Sequence, residues 1–522
     1  MMRLLALALC VQSLLQVDTI VHRILPMALA KPDFGISLPI TSSGKVSLAA
    51  LGARTVLEAI DDNTPFTVEA NYKGLQDLAN IVVSVASMTV NLGSELVPLV
   101  TSLVSDVSGD VTTVFATVFT KIGDIKTAIG TQLPTAIAGM KALFKTHFDS
   151  EGLDYIPNQL TDGFNRIVLG LDDLNAKLQT LKKGIDDAAT AAGSVADLTD
   201  PLVKKFVKPA YVYNVVFAIN QLKAYLPVVK YTIDSTLENI NLADDYLLLV
   251  SQALQQSAGT TTQSISSVKT VTDAISQDVK TGLNGYASDF SNMQTEIGSF
   301  PRLSTAADIA RINSALGSYS AAFGTLTTTR YPAMDTHLQN LIDAMTNALA
   351  ASSTPGQITS DLLDSLILTV IENGKYAQFC FNKYYGLVFG FLTSLGDSAG
   401  LCFDKEIPRL QTLQDTLVTA REQLLADFEY IASELAVCDS LTMQAKLDEC
   451  VLALSGFYTS LSTQFGLKLQ FIFDLIENET AASTNRFLIC IELVKMNLVE
   501  ITEANLMNDI RECALDGPTA DD

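Results

Sequence analysis

The chain has 522 residues, 48% of them apolar, and a formal net charge of -23. This apolar fraction supplies enough side chains for a packed core, which argues against a globally disordered chain, and the length suits two or three domains. Because a chain this acidic has no overall attraction to phosphate backbones or to anionic lipid surfaces, we expect no nucleic-acid partner.

The N-terminus has the pattern of a secretory signal peptide. Met1-Met2-Arg3 gives a short basic start, Leu4 to Leu15 form a mostly apolar run, and Ala28-Leu29-Ala30 offers the small residues that a signal peptidase recognises. An earlier cleavage, between Gln16 and Pro26, also fits. The apolar run is shorter than the about 20 helical residues that cross a bilayer, which disfavours a membrane anchor. We predict a signal peptide over residues 1–30 and a secreted, extracellular protein.

A largely apolar stretch runs from Leu78 to Val104, with Glu95 as its only charged residue. A similar composition returns from Tyr384 to Leu395, which is shorter than a membrane span. Asn80, Asn91, Glu95 and Pro98 interrupt the first stretch, and its polar and charged members are costly inside a bilayer. The absence of tryptophan also disfavours interfacial anchoring. Buried core helices explain both stretches better than membrane contact does.

Helix signals dominate the chain, and strand signals are almost absent. The clearest is an apolar seam with alternating steps of four and three: Leu160, Phe164, Ile167, Leu171, Leu174, Leu178, Leu181 and Ile185. A second seam comprises Leu410, Leu413, Leu417, Ala420 and Leu424, and after a shift by one Phe428, Ile431, Leu435 and Cys438. The shift favours bundle packing over a long regular coiled coil. We predict an all-α fold, an elongated bundle of helical hairpins.

Proline and glycine predict the breaks between helices: Asn63-Thr64-Pro65, Glu151 to Pro157, Asp200-Pro201, Phe300-Pro301, Ser353 to Gly356, and Gly396 to Gly400. The stretch from Ser251 to Thr272 is rich in Ser, Thr, Gln and Ala, and it fits either a weakly packed helix or a flexible connection. A boundary near Ser352 to Gly356 separates a cysteine-free, Ala/Thr/Val-rich helical region, residues 31–355, from a cysteine-rich helical domain, residues 356–522. We expect that C-terminal domain to fold alone when it is oxidised.

Six cysteines remain after the predicted cleavage: Cys380, Cys402, Cys438, Cys450, Cys490 and Cys513. An even count in an exported chain predicts disulfides, and the absence of a Cys-x-x-Cys pair disfavours zinc. If three helices run up, down and up, with turns near Asp439-Ser440 and near Asn478 to Ser483, two pairs of cysteines arrive at similar heights. The predicted disulfides are therefore Cys402 to Cys490 and Cys450 to Cys513, which leaves Cys380 with Cys438.

The single glycosylation sequon is Asn478-Glu479-Thr480, and it falls in the second predicted turn. A glycan on a turn would face solvent. Asn478 is therefore a candidate for glycosylation.

The C-terminal cysteines also carry a family resemblance. Cys438-Asp439-Ser440-Leu441 and Cys450 lie on an acidic amphipathic segment, and a long helical return carries Cys490 and Cys513. This arrangement resembles the C-terminal part of the TsetseEP domain family of insect proteins, over at most the last 120 or so residues. The resemblance implies an extracellular insect protein of gut or another secretory epithelium, without enzymatic activity.

No set of residues forms a catalytic motif. Beyond the signal segment the histidines are His147 and His337, in separate predicted helices, and each is best explained as an ordinary helix residue. Ser398, in Gly396-Asp397-Ser398-Ala399-Gly400, matches the nucleophile-elbow pattern, but no strand precedes it and no histidine follows it. We interpret those five residues as a loop between helices. We therefore predict no catalytic, cofactor-binding or metal site.

The sequence favours a secreted, non-enzymatic helical protein with a structural or interaction role, and the TsetseEP resemblance implies an insect gut or other epithelium as its setting. Its partner would be an extracellular protein or glycan. The alternative is a membrane-active, pore-forming or lipid-binding helical protein, with membrane contact through Leu78 to Val104. Because seam-bearing helices pack as readily between chains as within one, self-association also remains open.

Overall fold

The computed structural model describes residues 34–61, 66–150, 154–350 and 360–518. Every regular element in these ranges is helical, which confirms the predicted fold class, and none of these residues forms a strand. The predicted signal peptide and the predicted boundary near Ser352 to Gly356 lie outside the described residues.

The α-helices in chain order are α1 (Gly44–Asp61), α2 (Leu75–Ser105), α3 (Val111–Phe148), α4 (Tyr155–Ala192), α5 (Asp200–Phe206), α6 (Pro209–Gly298), α7 (Ile309–Thr325), α8 (Tyr331–Ala350), α9 (Asp361–Ile371), α10 (Ala377–Leu425), α11 (Ile431–Asp439), α12 (Gln444–Lys495) and α13 (Ala504–Asp516). Two π-helical segments, Leu326–Arg330 and Met496–Glu503, connect α7 to α8 and α12 to α13.

The chain forms two compact units, and each is made of separate stretches of sequence. The first unit contains the described residues of Met1–Leu248, Asp364–Lys383 and Ile510–Asp522, and the second contains those of Leu249–Leu363 and Tyr384–Asp509. This division differs from the two consecutive regions predicted on either side of residue 355, because a change in cysteine content does not report which helices pack together. Since the cysteine-rich region contributes to both units, we do not expect it to fold alone.

In the first unit the predicted α4 seam is a core face, since all eight of its residues are buried. Two glycines of α4 allow close packing against α6. A Cβ atom at Gly163 would lie 2.8 Å from a methyl group of Val229, and one at Gly170 would lie 2.7 Å from a methyl group of Leu222. A larger residue at either position would push the two helices apart.

The apolar stretch from Leu78 to Val104 lies within α2, which packs against α1 and α3. Its apolar residues supply the buried side of the helix. The opposite side carries small polar residues such as Asn80, Ser84, Asn91 and Ser102, all of them exposed. The helix is therefore amphipathic, although its solvent side is almost uncharged.

An aromatic cluster lies in the core of the second unit and contains Phe290, Tyr319, Phe323, Phe428 and Phe465. Ring centroids of neighbouring members are 4.9 to 6.4 Å apart. The cluster joins α6, α7 and α12 to the turn between α10 and α11. That turn is where the second predicted seam shifts register, so the shift marks a real helix boundary.

The three disulfides connect Cys380 to Cys513, Cys402 to Cys490 and Cys438 to Cys450. The pairing of Cys402 with Cys490 confirms the prediction, whereas the predicted pairs Cys450 with Cys513 and Cys380 with Cys438 are wrong. The error comes from the predicted turn near Asn478 to Ser483, because α12 runs through it without a break. Cys438 and Cys450 instead face each other across the short turn that follows Asp439.

Two further predictions about local structure are resolved by the long helices. The predicted loop from Gly396 to Gly400 is wrong, since these residues lie inside α10. The stretch from Ser251 to Thr272 is a helix rather than a flexible connection, as part of α6. No side chain from 251 to 267 is buried, so this portion of α6 is weakly packed. A Cβ atom at Gly396 would collide with the hydroxyl of Ser257, which shows that α10 approaches α6 closely here.

Candidate functional site

The residues considered for catalysis are not arranged for it. His147 Nε2 lies 3.9 Å from a carboxylate oxygen of Asp77, and His337 Nε2 lies 3.9 Å from one of Glu477. Both imidazoles are about one-third exposed. Ser398 lies within a helix and not on the strand-to-helix turn that a nucleophile elbow requires. Each residue therefore has a structural explanation.

Two cavities in the second unit differ in volume and in how far they are enclosed, the two properties that a ligand site depends on. One, between α6 and α10, has a volume of about 10 Å³ and lies beside Ile275, Asp278 and Leu417. That volume holds about one water molecule. The other is an open depression of about 360 Å³ along successive turns of α6, lined by Asp273, Gln277 and Lys280. Neither encloses a substrate, and no group of three or more metal-ligating side chains occurs among the described residues.

A highly connected buried carboxylate belongs to Glu406 of α10, which is 2% exposed. Arg486 of α12 donates to it through Nε and Nη2, each at 3.1 Å, and Ser483 Oγ donates at 2.7 Å. Arg409 completes this group, which we call the Glu406 cluster, by a further hydrogen bond and ion pair. The carboxylate is neutralised by two guanidinium groups, so its arrangement is that of a structural anchor.

The Glu406 cluster is one of three adjacent connections between α10 and α12. The Cys402 to Cys490 disulfide lies one turn away, and the tilted rings of Phe403 and Phe487 contact each other between them, with centroids 4.7 Å apart. All three place the helices in one antiparallel register. The cluster therefore fixes how α12 lies along α10.

We expect Glu406→Gln to lower the free energy of unfolding at neutral pH by about 2 kcal/mol, since two arginines lose their counter-charge. Burial raises the pKa of Glu406, but the hydrogen bonds from Arg486 and Ser483 and the charge of Arg486 outweigh it and hold the pKa below its usual range. The carboxylate therefore stabilises the fold above its unfolded pKa of about 4.3, and this contribution disappears as the pH falls through the lower folded value.

Urea denaturation of the wild type and of Glu406→Gln at pH values from neutral to strongly acidic would measure this effect. The gap between the two proteins should close with acid. Glu449→Gln is the matched control, because Glu449 is exposed and pairs only with Lys446. A gap that stayed constant down to the lowest pH would contradict the assignment.

In the first unit, two carboxylates hold the segment that leads into α2. The buried Asp244 of α6 accepts hydrogen bonds from the backbone amides of Glu69 and Ala70, at 2.8 and 2.7 Å. Asp364 of α9 accepts from the Tyr72 hydroxyl and from Lys73. Burial and the nearby charge of Asp364 raise the pKa of Tyr72. These contacts position residues 66–74.

The glycosylation candidate Asn478 lies on the exposed side of α12 and not in a turn. Its Nδ2 donates to the backbone oxygen of Asp474 at 2.7 Å. The hydroxyl of Thr480 is buried and donates to the backbone oxygen of Ile476 at 2.8 Å. A glycan on Asn478 would extend into solvent from the helix, because the Asn side chain itself is exposed.

We expect the protein secreted by insect cells to lose mass when it is treated with peptide N-glycosidase. Glycan transfer precedes folding, so the helix does not protect the sequon. Gel mobility before and after treatment gives the measurement, and Asn478→Gln should migrate with the treated wild type. An untreated wild type that already migrates with Asn478→Gln would show that the sequon is unused.

Two helices within the described residues, α2 and α10, are long and apolar enough to cross a membrane by length and composition. In the most apolar window of α2, 39% of the residues are buried inside the fold, and in that of α10 the share is 35%. A core helix of a soluble protein passes the same test, and both helices do contribute to the cores described above.

Comparison of the chain with protein-family models, with curated proteins and with solved structures gives no match. The resemblance of the C-terminal region to the TsetseEP domain family therefore enters only as a proposal.

Proposed function

We propose that this is a secreted, non-catalytic helical protein that acts through contacts of its surface with other extracellular components. The observation that carries the proposal is the pairing of all six cysteines beyond the predicted signal peptide in three disulfides within the chain. Such pairing is typical of oxidising compartments and rare in the cytosol. The predicted signal peptide and the disulfides are independent indications of the same compartment, because the signal peptide was predicted from residues other than the paired cysteines.

Exposed apolar side chains on the surface are suited to such contacts. Along α12, Phe457, Leu467 and Phe471 are each exposed by half or more. Single exposed apolar side chains are common, but aromatic ones at intervals along one helix are typical of a surface that meets a partner. The TsetseEP resemblance suggests an insect gut or another secretory epithelium as the setting.

Expression of the full chain in insect cells tests the compartment. We expect oxidised protein in the medium, with no thiols that react before reduction, and we expect a chain that begins at Lys31 to stay inside the cell. Retention of the full chain in the cytosol with reactive thiols would contradict the proposal.

Cross-linking of the purified protein to the extracellular material of an epithelium tests the surface role. We expect discrete adducts. If the contact lies on α12, polar replacement of Phe457 and Phe471 should reduce these adducts, whereas polar replacement of exposed residues elsewhere should not. Adducts with copies of the chain itself would identify self-association.

A second candidate function is membrane activity. It is favoured by the length and composition of α2 and by the near absence of charge on its solvent side, where Glu95 is paired with Lys121 at 3.1 Å. Leakage of a trapped dye from vesicles at neutral or acidic pH, with α2 protected from protease, would support it. Binding without leakage would contradict pore formation.

A further inference from the structure

The charge of this acidic chain is unevenly distributed. From Pro201 to Ile233 the sequence contains five lysines and neither aspartate nor glutamate. The part of α1 from Gly44 to Leu57 contains Lys45 and Arg54 and again no acidic residue. Both stretches belong to the first unit.

The structure places these two basic stretches side by side. Lys45 Nζ on α1 donates to the hydroxyl of Tyr213 on α6 at 2.9 Å and lies 4.8 Å from its ring centroid. Two turns further, a Cβ atom at Gly52 would lie 3.1 Å from Nζ of Lys223. The two contacts show that α1 and the start of α6 run parallel and in contact.

Apolar side chains are exposed along this pair of helices. We call them, together with Lys45 and Lys223, the α1–α6 face; the apolar members are Leu48, Leu51, Tyr213, Phe217, Val228 and Tyr231. Leu48 and Phe217 are each 65% exposed, and Tyr231 is 69% exposed. On α6 these residues recur at three- and four-residue steps or their sums, so they form one stripe.

The lysines of the α1–α6 face keep their charge unneutralised. Two nearby cations do have carboxylate partners: Arg54 pairs with Glu58, and Lys204 pairs with Asp200. Lys45 and Lys223 form no ion pair with a carboxylate among the residues that the structure describes. This part of an acidic molecule therefore presents positive charge beside exposed aromatic rings.

We propose that the α1–α6 face binds the headgroup region of anionic lipid bilayers. Lysine ammonium groups attract anionic headgroups, while aromatic and aliphatic side chains insert at the level between headgroups and acyl chains. The exposed side chains recur at one to three turns along the helices, and this open spacing suits a fluid surface better than a protein partner that must bury about 800 Å² on each side.

The acidity of the remaining chain does not oppose this binding at physiological salt. Charges are screened over about 8 Å at that ionic strength, so lysines in contact with headgroups act strongly and more distant carboxylates act weakly. The inference rests on the proposed role as a secreted, surface-acting protein and specifies which surface acts and on what.

Flotation of the oxidised protein with vesicles tests the proposal. We expect co-flotation with vesicles of phosphatidylcholine and phosphatidylglycerol, none with phosphatidylcholine alone, and loss of binding as salt is raised. Lys45→Gln and Lys223→Gln should each weaken partitioning about fivefold. Phe217→Ser with Tyr231→Ser should weaken it at unchanged charge.

Two matched controls lie outside the face. Lys405→Gln on α10 removes an exposed lysine, and Phe379→Ser on the same helix removes an exposed phenylalanine. Both should float like the wild type. Because all substituted residues are at the surface, circular dichroism should show unchanged helicity in every variant.

Several outcomes would overturn the proposal: no flotation with anionic vesicles, equal flotation with neutral ones, or controls that weaken binding as much as the face variants. Any of these, combined with normal secretion and specific cross-linking, would leave the proposed function standing with a protein or glycan partner. Failure of secretion would instead overturn the proposed function. Dye leakage during flotation would overturn surface binding as the mode of contact and would indicate membrane insertion.

Discussion

Phe465→Ala is expected to lower the free energy of unfolding of the second unit by about 4 kcal/mol, the loss typical of a buried phenylalanine. Phe465 is fully buried, and its ring lies 4.9 Å from that of Tyr319 and 5.1 Å from that of Phe323, centroid to centroid. The substitution would leave a cavity where α6, α7 and α12 meet. Urea denaturation followed by circular dichroism measures the loss.

Phe457→Ala is the control for this experiment, because it removes the same side chain from the same helix at a position that is 57% exposed. Its effect should stay within about 0.5 kcal/mol. Equal effects of the two substitutions would mean that the aromatic cluster is not a core of the second unit.

Replacement of both Cys380 and Cys513 by alanine should destabilise the first unit by about 4 kcal/mol, since it releases a long loop in the unfolded chain. The two cysteines are 133 residues apart in sequence. The Cys402 to Cys490 disulfide lies inside that loop and shortens it, so the loss is smaller than the full separation implies. Urea denaturation of the oxidised proteins gives the difference.

The same double replacement at Cys438 and Cys450, which are separated by 12 residues, should cost about 3 kcal/mol and should act on the second unit. Peptide mapping of the wild type under non-reducing conditions would establish the pairing beforehand. A cross-linked peptide that contains Cys450 and Cys513 would contradict the structure.

The fold class and the core faces could be predicted from the sequence because they depend on local periodicity. The α4 seam from Leu160 to Ile185 is buried residue by residue, and the register shift near Phe428 marks a helix boundary. Neither conclusion requires knowledge of which helices are neighbours.

The wrong predictions concern polar or glycine-rich segments whose partners lie far away in sequence. The residues from Asn478 to Ser483 look like a turn, yet Ser483 donates to the buried carboxylate of Glu406 and Thr480 donates to a backbone oxygen within α12. Gly396 looks like a helix break, yet it admits Ser257 of another helix. The wrong disulfide pairs followed from the same missed continuity of α12.

The α1–α6 face was missed for a different reason. Net charge was averaged over the chain, and an average of -23 hides a 33-residue stretch that carries five lysines and no acidic residue. That signal is in the sequence. What the sequence does not supply is the neighbour, because the contact of Lys45 with Tyr213 joins residues 168 positions apart.

Packing constrains few of the residues from 251 to 267 in α6. No side chain there is buried, so most replacements are limited only by helix propensity, which differs by less than about 1 kcal/mol among residues other than proline. Ser257 is the exception, because Gly396 approaches it closely. We expect this portion to drift fastest in evolution, with proline excluded throughout and bulky residues excluded at one position.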